Sequence, residues 1–346
     1  MKYSKRCIVT GGAGFIGANL TRHLIAETSF NVLVIDDLTY AGDPRFLENL
    51  GLDSATLQSS NKRLQFLKCD ICDFEAMNKS FSDFRPDTVF HLAAQSHVDR
   101  SIATPLEFAR TNVLGTVTLL KAAQNFFDTL CDDAKKAFRF QHISTDEVYG
   151  SLGKEGFFTE QSPYCPHSPY SASKASSDHF VRAWHDTFGL PVLITNASNN
   201  YGPFQHPEKL LPMVIRNCLE RKPIPVYGDG SNIRDWIYVK DHVKALLIVN
   251  ERGVPGRTYN IGARNELANL EMIRTVCRIL DELSPAEMPY ESLITFVEDR
   301  PGHDFRYALD PSRIMNELGW KPEETLDSSL RETVKWYLED GKRLLF

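Results

Sequence analysis

A glycine-rich loop near the N-terminus constrains the fold of this chain more than any other feature. Residues 11–17 read GGAGFIG and directly follow an apolar run at 7–9, so that Gly11, Gly14 and Gly17 recur every third position. Glycines at this spacing permit a tight turn, close approach of the backbone to a pyrophosphate, and close packing of the next helix on the strand. The N-terminus of that helix attracts phosphates through its free N–H groups and its dipole. The loop therefore predicts a βαβ unit that binds a dinucleotide.

Apolar strands alternate with helices through the first half of the chain. The hydrophobic pattern predicts strands over 7–9, 32–35, 64–67, 88–92, 138–143 and 191–195, and helices over 18–27, 75–84, 105–127 and 171–188. Strands that are apolar on both faces are typical of a parallel sheet covered by helices on both sides. The predicted fold class is α/β, with a Rossmann-type doubly wound parallel sheet.

The second half of the chain differs, because five prolines between 203 and 225 divide it into shorter segments. Further helices are predicted over 270–283 and 328–339. We expect residues 1–200 to form a dinucleotide-binding Rossmann domain that carries the catalytic residues. We expect residues 201–346 to form mainly a smaller C-terminal substrate-binding lobe, interleaved with returns to the main sheet.

Composition excludes several classes of protein. The net charge of −6 and the lack of a basic stripe argue against nucleic-acid binding. Seven dispersed cysteines are typical of reduced thiols in a cytoplasmic protein, and the CxxC pair Cys69 and Cys72 has no second pair nearby, so we predict no metal site. The first six residues lead directly into a strand, and no apolar run approaches the thickness of a bilayer, so we expect neither a signal peptide nor a membrane partner.

Side chains at the ends of the predicted strands indicate which dinucleotide binds. Asp36 ends the second strand, where a carboxylate accepts both ribose hydroxyls and repels a 2′-phosphate, so NAD is favoured over NADP. Asp37 shares this role or is simply solvated. Asp70 and Ile71 are placed to hold adenine, and the small residues at 92–94 let the backbone lie against the cofactor.

Two further motifs carry chemistry. Tyr170 and Lys174 are four residues apart at the start of a predicted helix and share one face. A nearby ammonium, helped by a positive nicotinamide, favours the phenolate that deprotonates an alcohol. Asp146 and Glu147 follow an apolar strand, and a carboxyl pair in opposite protonation states is what removal of water requires. His97 is a further candidate base, although a structural or ribose-proximal role is favoured for it.

Together these motifs resemble the extended short-chain dehydrogenase/reductase family and, within it, the enzymes that dehydrate nucleotide-linked sugars. The resemblance covers nearly the whole chain. It is carried by residues 10–17, 36–42, 91–101, 144–150, 170–178, 198–203, 207–210, 234–236 and 299–304. Epimerases of the same family usually lack the acid–base pair, so the sequence Thr145-Asp146-Glu147 is the specific part. Gln95 departs from the glutamate often found in relatives, without touching a catalytic assignment.

The resemblance implies a reaction and a role for each catalytic residue. The expected substrate is dTDP-glucose and the expected cofactor is NAD. Tyr170, supported by Lys174, would take the proton of the sugar 4-hydroxyl, and Thr145 would hydrogen-bond in that region. Glu147 would abstract the C5 proton and Asp146 would protonate the departing C6 hydroxyl. The alternatives are the same dehydration of UDP-glucose, a nucleotide-sugar 4-epimerase or decarboxylase, and, in a different class, a non-catalytic NAD-binding scaffold.

The resemblance also assigns binding residues and a homodimer. Cofactor contacts are expected at Gly11, Gly14, Phe15, Ile16, Gly17, Asp36, Asp37, Leu38, Thr39, Asp70, Ile71, Leu92, Ala93, Ala94, Ser96, Thr111, Tyr170, Lys174 and Asn200. Substrate contacts are expected at Ser96, Thr145, Asn199, Lys209, Leu210, Pro225, Val226, Tyr227, Arg234, Asn269, Asp299, Arg300 and His303. The helices at 105–127 and 171–188 are expected to pair with their copies in a four-helix interface.

Overall fold

The computed structural model of the chain describes residues 4–299 and 303–345. Contacts divide it into two compact units. Unit 1 comprises Met1–Val148, Pro166–Asn196 and Leu246–Tyr259, and unit 2 comprises Tyr149–Cys165, Ala197–Ala245 and Asn260–Phe346. The chain therefore passes between the units several times. None of the helices in the described ranges is long and apolar enough to span a membrane.

The strands of the described residues begin and end as follows: β1 Arg6–Thr10, β2 Asn31–Asp36, β3 Leu64–Lys68, β4 Thr88–His91, β5 Arg139–Thr145, β6 Val192–Ala197, β7 Asn199–Tyr201, β8 Ile224–Tyr227, β9 Ile233–Tyr238, β10 Thr258–Ile261, β11 Glu266–Ala268 and β12 Ile294–Val297. Seven of them form one sheet in the order β10-β6-β5-β4-β1-β2-β3. The pairs β1–β2, β1–β4, β2–β3 and β4–β5 are parallel. The predicted doubly wound parallel sheet is thus confirmed.

The α-helices are α1 Phe15–Glu27, α2 Phe74–Phe84, α3 Val98–Ala103, α4 Pro105–Phe108, α5 Thr116–Asp128, α6 Asp132–Ala137, α7 Pro169–Phe188, α8 Leu210–Leu219, α9 Val239–Arg252, α10 Asn269–Leu283, α11 Ser312–Leu318, α12 Leu326–Trp336 and α13 Lys342–Leu345. Short 3-10 helices lie at Pro44–Leu50, Asp146–Tyr149 and Tyr290–Leu293. Two π-helical segments, Ala109–Gly115 and Tyr337–Gly341, follow α4 and α12. The helix predicted over 105–127 is therefore α4, a π-helical turn and α5 in succession.

The hydrophobic core of unit 1 packs against the seven-stranded sheet, because the strands of that sheet are apolar on both faces. Phe81 of α2, Phe126 of α5 and Phe138 beside β5 are all at least nine-tenths buried, and their rings lie 5.9–6.1 Å apart. Helices α2 and α5 thus cover one face of the strands that lead to the site. Burial of such large apolar side chains stabilises each by about 1.5–3 kcal/mol.

Unit 2 contains two small sheets, β11-β9-β7 and β12-β8. Strand β9 is antiparallel to β11 and parallel to β7, and β12 is parallel to β8. Helix α10 packs beside α8 and α12 through a buried face that includes Met272, Val276 and Ile279. These strands and helices carry the residues expected to bind substrate.

Candidate active site

The glycine loop between β1 and α1 has the geometry that a pyrophosphate cradle needs. Gly11 has φ of +68°, and its N–H donates to the Ile35 carbonyl at 2.8 Å. A Cβ on Gly17 would lie 2.0 Å from the Gly11 carbonyl oxygen. No side chain fits at that position without moving the loop, so the first turn of α1 lies directly against it. Gly17 thus permits the close packing of α1 against the loop that the glycine spacing of a dinucleotide-binding unit predicts.

Asp36 fixes the loop to the end of β2. Its carboxylate accepts the Ala13 N–H at 2.9 Å and the Leu38 N–H at 2.8 Å. Burial raises the pKa of Asp36, and the two backbone donors oppose that effect. A carboxylate has about four lone-pair sites, so these bonds leave acceptor capacity for ribose hydroxyls. Asp37, by contrast, is exposed.

A cavity of about 560 Å³ brings together four residues that were expected to contact the cofactor, Asp37, Thr39, Asp70 and Thr111. It is also lined by Tyr40, Gln95, Arg100, Ala103, Thr104, Glu107, Phe108 and Arg110. Arg110 pairs with Asp70 at 2.8 Å. The sequence analysis did not assign Arg110, because its distance of 40 residues from Asp70 gives no indication of the contact.

The tip of β4 is held by a chain of hydrogen bonds through His91. The Thr116 hydroxyl donates to the Asn112 carbonyl at 2.6 Å, so it accepts the His91 Nε2–H at 2.9 Å. His91 Nδ1 then accepts from the Thr10 hydroxyl at 2.8 Å, and Thr10 accepts the Ala93 N–H at 3.2 Å. Burial lowers the pKa of His91, which matches this neutral ring. The chain fixes the backbone of Ala93, where the cofactor is expected to lie.

Asn112, in the π-helical turn Ala109–Gly115, fixes the next part of the loop. Its amide accepts the Gln95 N–H at 2.8 Å and donates to the Gln95 carbonyl at 3.0 Å. It also donates to the Ser173 hydroxyl at 2.8 Å. The loop after β4 is therefore tied to α7, one residue from Lys174. Neither His91 nor Asn112 was assigned from the sequence, although a polar residue inside an apolar strand indicates His91.

The motif at 144–147 forms the end of β5 and a 3-10 turn. The Thr145 hydroxyl donates to Asp146 Oδ1 at 3.3 Å and accepts the Glu147 N–H at 3.3 Å. Asp146 is only 2% exposed, whereas Glu147 is half-buried. Unequal burial of two neighbouring carboxyls is one way to hold them in opposite protonation states.

Tyr170 lies in the first turn of α7, where Ser168 and Ser171 form a capping box. Burial raises the pKa of Tyr170, and the negative charge of Glu147 raises it further, whereas the Thr145 hydroxyl lowers it. These effects place Tyr170, Thr145 and Glu147 within range of one another. The structure thus brings together the residues predicted to remove a proton and to eliminate water.

Lys174 lies one turn further along α7 than Tyr170. Its ammonium donates to the Ile143 carbonyl at 2.8 Å, and burial is the largest influence on the pKa of Tyr170, followed by the negative charge of Glu147. Burial lowers the pKa of Lys174 to about 8. The side chains of unit 1 by themselves therefore favour the neutral phenol rather than the phenolate. The ring of His97 caps α3, because it accepts the Arg100 N–H at 3.4 Å.

In unit 2, Arg234 is buried on β9 and already has several partners. Its guanidinium donates to the carbonyls of Ile233 at 2.8 Å and Asp304 at 3.0 Å, and it lies 4.4 Å from the centre of the Tyr307 ring. A second cluster joins Tyr227, Asp299 and His303: the His303 ring is 2.7 Å from Asp299 and 6.4 Å from the centre of Tyr227.

The remaining residues of unit 2 lie on its short strands or at the starts of its helices. Asn200 on β7 accepts the His242 Nδ1–H at 2.8 Å through its amide oxygen, with Asn199 beside it. Lys209 and Leu210 begin α8, and Asn269 begins α10. Pro225 and Val226 lie on β8. Arg300 lies outside the described residues.

No group of three or more His, Cys, Asp or Glu side chains among residues 4–299 and 303–345 is arranged to hold a metal ion. Cys69 and Cys72 are free thiols, and burial raises the pKa of each.

Comparison with known proteins gives similarities over nearly the whole chain. The family model described as GDP-mannose 4,6 dehydratase matches residues 8–333. A probable dTDP-glucose 4,6-dehydratase of Sinorhizobium fredii is 54% identical, over 97% of this chain and 93% of the relative. The dTDP-glucose 4,6-dehydratase of Neisseria meningitidis serogroup B is also 54% identical, over 97% and 94%. A solved dTDP-glucose 4,6-dehydratase of Streptomyces venezuelae, with NAD bound, matches with a TM-score of 0.87 and 42% identity over 98% of both chains.

Proposed function

The chain belongs to the family described by the GDP-mannose 4,6 dehydratase model, and from that premise we propose that it is an NAD-dependent hydro-lyase that converts dTDP-glucose to dTDP-4-keto-6-deoxyglucose. One observation carries the proposal: unit 1 joins a dinucleotide cradle, Tyr170 and the acid–base pair Asp146 and Glu147. The relatives named for this activity support the substrate. The product belongs to deoxysugar biosynthesis.

The cofactor residues fit NAD. Gly11, Gly14 and Gly17 would receive the pyrophosphate, and Asp36 would accept the ribose hydroxyls. When bound, NAD⁺ takes the hydride from C4 of the sugar and later gives it to C6. Its positive nicotinamide would also favour the phenolate of Tyr170, which the buried side chains alone disfavour.

Three side chains then move the protons. Tyr170 accepts the proton of the 4-hydroxyl while C4 is oxidised, with Thr145 hydrogen-bonded beside it. The new carbonyl acidifies the C5 proton, which Glu147 removes. Asp146 gives its proton to the C6 hydroxyl, so that water leaves and a C5–C6 double bond forms. Glu147 returns a proton to C5 when C6 is reduced, and the 4-keto-6-deoxy sugar results.

Substrate binding is assigned mainly to unit 2. Arg234 would pair with the diphosphate, because guanidinium binds phosphate bidentately. Tyr227 offers a ring for the nucleobase, with Val226 and Pro225 beside it. Asn199, Lys209, Leu210, Asn269, Asp299, Arg300 and His303 are proposed as further contacts, and Ser96 in unit 1. We retain as a proposal that NAD binding belongs to residues 1–200 and substrate binding mainly to 201–346.

A homodimer is proposed through the helical faces around α5 and α7. On α7, Phe180, Trp184 and Phe188 form a row of aromatic rings 5.3–6.4 Å apart, and Phe180 and Phe188 are 41% and 51% exposed. Exposed apolar side chains in one row are typical of an interface. Light scattering of a Phe180→Glu variant tests the proposal: a wild-type monomer, or a variant that still dimerises through this face, would contradict it. The scattered free cysteines support a cytoplasmic location.

The test of the function is mass spectrometry of the purified protein with dTDP-glucose, and separately with UDP-glucose, without added NAD. Loss of one water from the dTDP sugar alone supports the proposal and shows that cofactor is retained. Equal loss of water from both sugars supports the dehydration reaction but does not decide which nucleobase the protein prefers. An unchanged mass with both, even after NAD is added, contradicts the dehydratase and favours a 4-epimerase, a decarboxylase or a non-catalytic scaffold.

A further inference from the structure

Four polar side chains form a buried cluster between β5 and α7. They are His142 and Ser144 on β5 and Lys174 and Asp178 on α7, and none is more than 7% exposed. The Ser144 hydroxyl donates to Asp178 Oδ2 at 2.9 Å. His142 Nε2 lies 3.2 Å from Asp178 Oδ1 and 3.4 Å from Lys174 Nζ. The proposed catalytic steps do not use Asp178, His142 or Ser144.

His142 Nε2 has two polar neighbours. A ring nitrogen either donates a proton or accepts one. Nε2 lies within hydrogen-bond distance of the Lys174 ammonium, at 3.4 Å, and Asp178 Oδ1 lies against it at 3.2 Å. The ring is neutral with a proton on either one of its nitrogens. Burial, assisted by Lys174, lowers the pKa of His142 to about 4, which agrees with a neutral ring.

Lys174 makes its shorter hydrogen bond to the backbone of β5 rather than to His142. Its ammonium has three hydrogens, and one is donated to the Ile143 carbonyl at 2.8 Å. Ile143 lies between His142 and Ser144 on β5, both of which contact Asp178. The Asp178 carboxylate therefore contacts the strand on both sides of the Ile143 carbonyl, which accepts the hydrogen bond from Lys174. An isolated ammonium would be costly to bury here, and Asp178 is the nearby charge that offsets this cost.

We propose that Asp178 is a positioning residue: it fixes β5 around Ile143 and keeps the Lys174 ammonium both in place and charged, one helical turn from Tyr170. The inference rests on the proposed function, because Lys174 acts in that reaction. Asp178 touches neither the sugar nor the cofactor in this scheme. Its effect reaches the reaction through Lys174.

Other titratable groups near this cluster raise or lower the pKa values of its members. On α7, Arg182 lowers the pKa of His142 and Asp178 raises that of Lys174. On β4, His91 lies 5.1 Å from the His142 ring, and Lys174 lowers its pKa. Asp178 is thus the one acidic group that acts to keep Lys174 charged among the described residues that change its pKa.

The Asp178→Asn variant tests the inference, because it removes the charge and keeps the shape. The matched control is Asp186→Asn, which removes an exposed carboxylate two turns further along the same helix. The primary measurement is a ¹³C NMR titration of the lysine Cε atoms, assigned by the missing signal in a Lys174→Met variant. We expect the midpoint of Lys174 to fall by about one pH unit in Asp178→Asn and to stay unchanged in Asp186→Asn.

The pH dependence of kcat is the second measurement. We expect the alkaline limb, where Lys174 loses its proton, to move to lower pH in Asp178→Asn, and kcat at pH 8 to fall about fivefold. Asp178→Ser removes the same charge with a smaller side chain and serves if Asp178→Asn does not fold. An unchanged Lys174 midpoint in a folded variant overturns the inference. If the wild type does not dehydrate dTDP-glucose, the proposed function fails, and the NMR titration still decides the role of Asp178.

Discussion

The two units of this protein present their functional residues in different ways. In unit 1 the residues assigned to chemistry follow parallel strands: Asp36 ends β2, and Thr145 ends β5. In unit 2 the assigned residues lie at helix starts and in short strands, as Lys209 and Tyr227 do. The carboxyl ends of parallel strands meet at one edge of a sheet, so unit 1 gathers its residues by its topology. Unit 2 brings its residues together through contacts between distant segments, such as those of Arg234 with Asp304 and of Tyr227 with His303.

Burial differs in the same way. Asp146 and Lys174 in unit 1 are at most 4% exposed, whereas Tyr227 in unit 2 is 43% exposed. Charges act strongly on one another where water is excluded, and weakly where it is not. Unit 1 therefore has the environment for proton transfer. Unit 2 has residues suited to recognition, and substitutions in the two units should affect different kinetic constants.

The largest effect is expected in unit 1 from Glu147→Gln. The amide cannot remove the C5 proton, so kcat should fall by about 10²–10⁴-fold, while NAD stays bound. Mass spectrometry of the dTDP-sugar product measures the loss, and absorbance of the released cofactor measures retention. Glu27→Gln, which changes an exposed carboxylate at the end of α1, is the control. Turnover within a factor of three of wild type would remove Glu147 from the mechanism.

Replacing one glycine in each unit compares how closely other atoms surround the backbone at the two positions. Gly17→Ala places a Cβ 2.0 Å from the Gly11 carbonyl oxygen, whereas a Cβ on Gly153 in unit 2 has no atom within 4 Å. We expect Gly17→Ala to weaken NAD binding by about 100-fold, because the loop must move away from its position. Gly153→Ala should leave binding unchanged. Fluorescence titration with NAD on cofactor-stripped protein measures both, and equal affinities would show that the cradle tolerates a side chain.

Tyr227→Ala should alter recognition alone. Loss of a stacking ring costs about 1–3 kcal/mol, so KM for dTDP-glucose should rise about tenfold with kcat nearly unchanged. Steady-state kinetics measures the two constants separately. Met288→Ala removes another exposed apolar side chain of unit 2 and is the control. A fall in kcat with constant KM would mean that Tyr227 belongs with the chemistry, and the contrast between the units would fail.

The smallest effect is expected on the way the free energy of unfolding changes as pH falls below neutrality. Burial lowers the pKa of His142 in unit 1 to about 4, so between about pH 6.5 and 4 the unfolded chain binds a proton that the folded chain does not. Stability should fall as pH falls through that range. Burial raises the pKa of Asp235 in unit 2 to about 6, so here the folded chain binds the extra proton and stability should rise.

Melting temperatures between pH 6.5 and 5 test both directions. His142→Gln should lose less stability on acidification than the wild type, by a few degrees, because it removes a group that resists protonation when folded. Asp235→Asn should lose more. Parallel curves for all three proteins would show that neither group is linked to folding.

The sequence predicted the parallel sheet, the glycine loop and the carboxyl pair, because each follows from local patterns: apolar runs, glycine spacing, and polar residues at strand ends. It could not predict that Lys174 donates to the Ile143 carbonyl, since that contact depends on how α7 packs on β5. The pairing of Arg110 with Asp70 was missed for the same reason. His142 is a polar residue inside an apolar strand, which indicates a buried polar contact. The spacing of residues in the sequence does not identify the partner in that contact.

The π-helical turn Ala109–Gly115 makes this stretch sensitive to insertions and deletions. A π-helical turn holds one residue more between bonded groups than an α-helical turn. Deleting one residue here would rotate everything after it by about 100° around the helix axis. Thr116 would then face away from His91. The length of this turn is thus as much a part of the site as any side chain, because it sets the rotation of α5 about its axis.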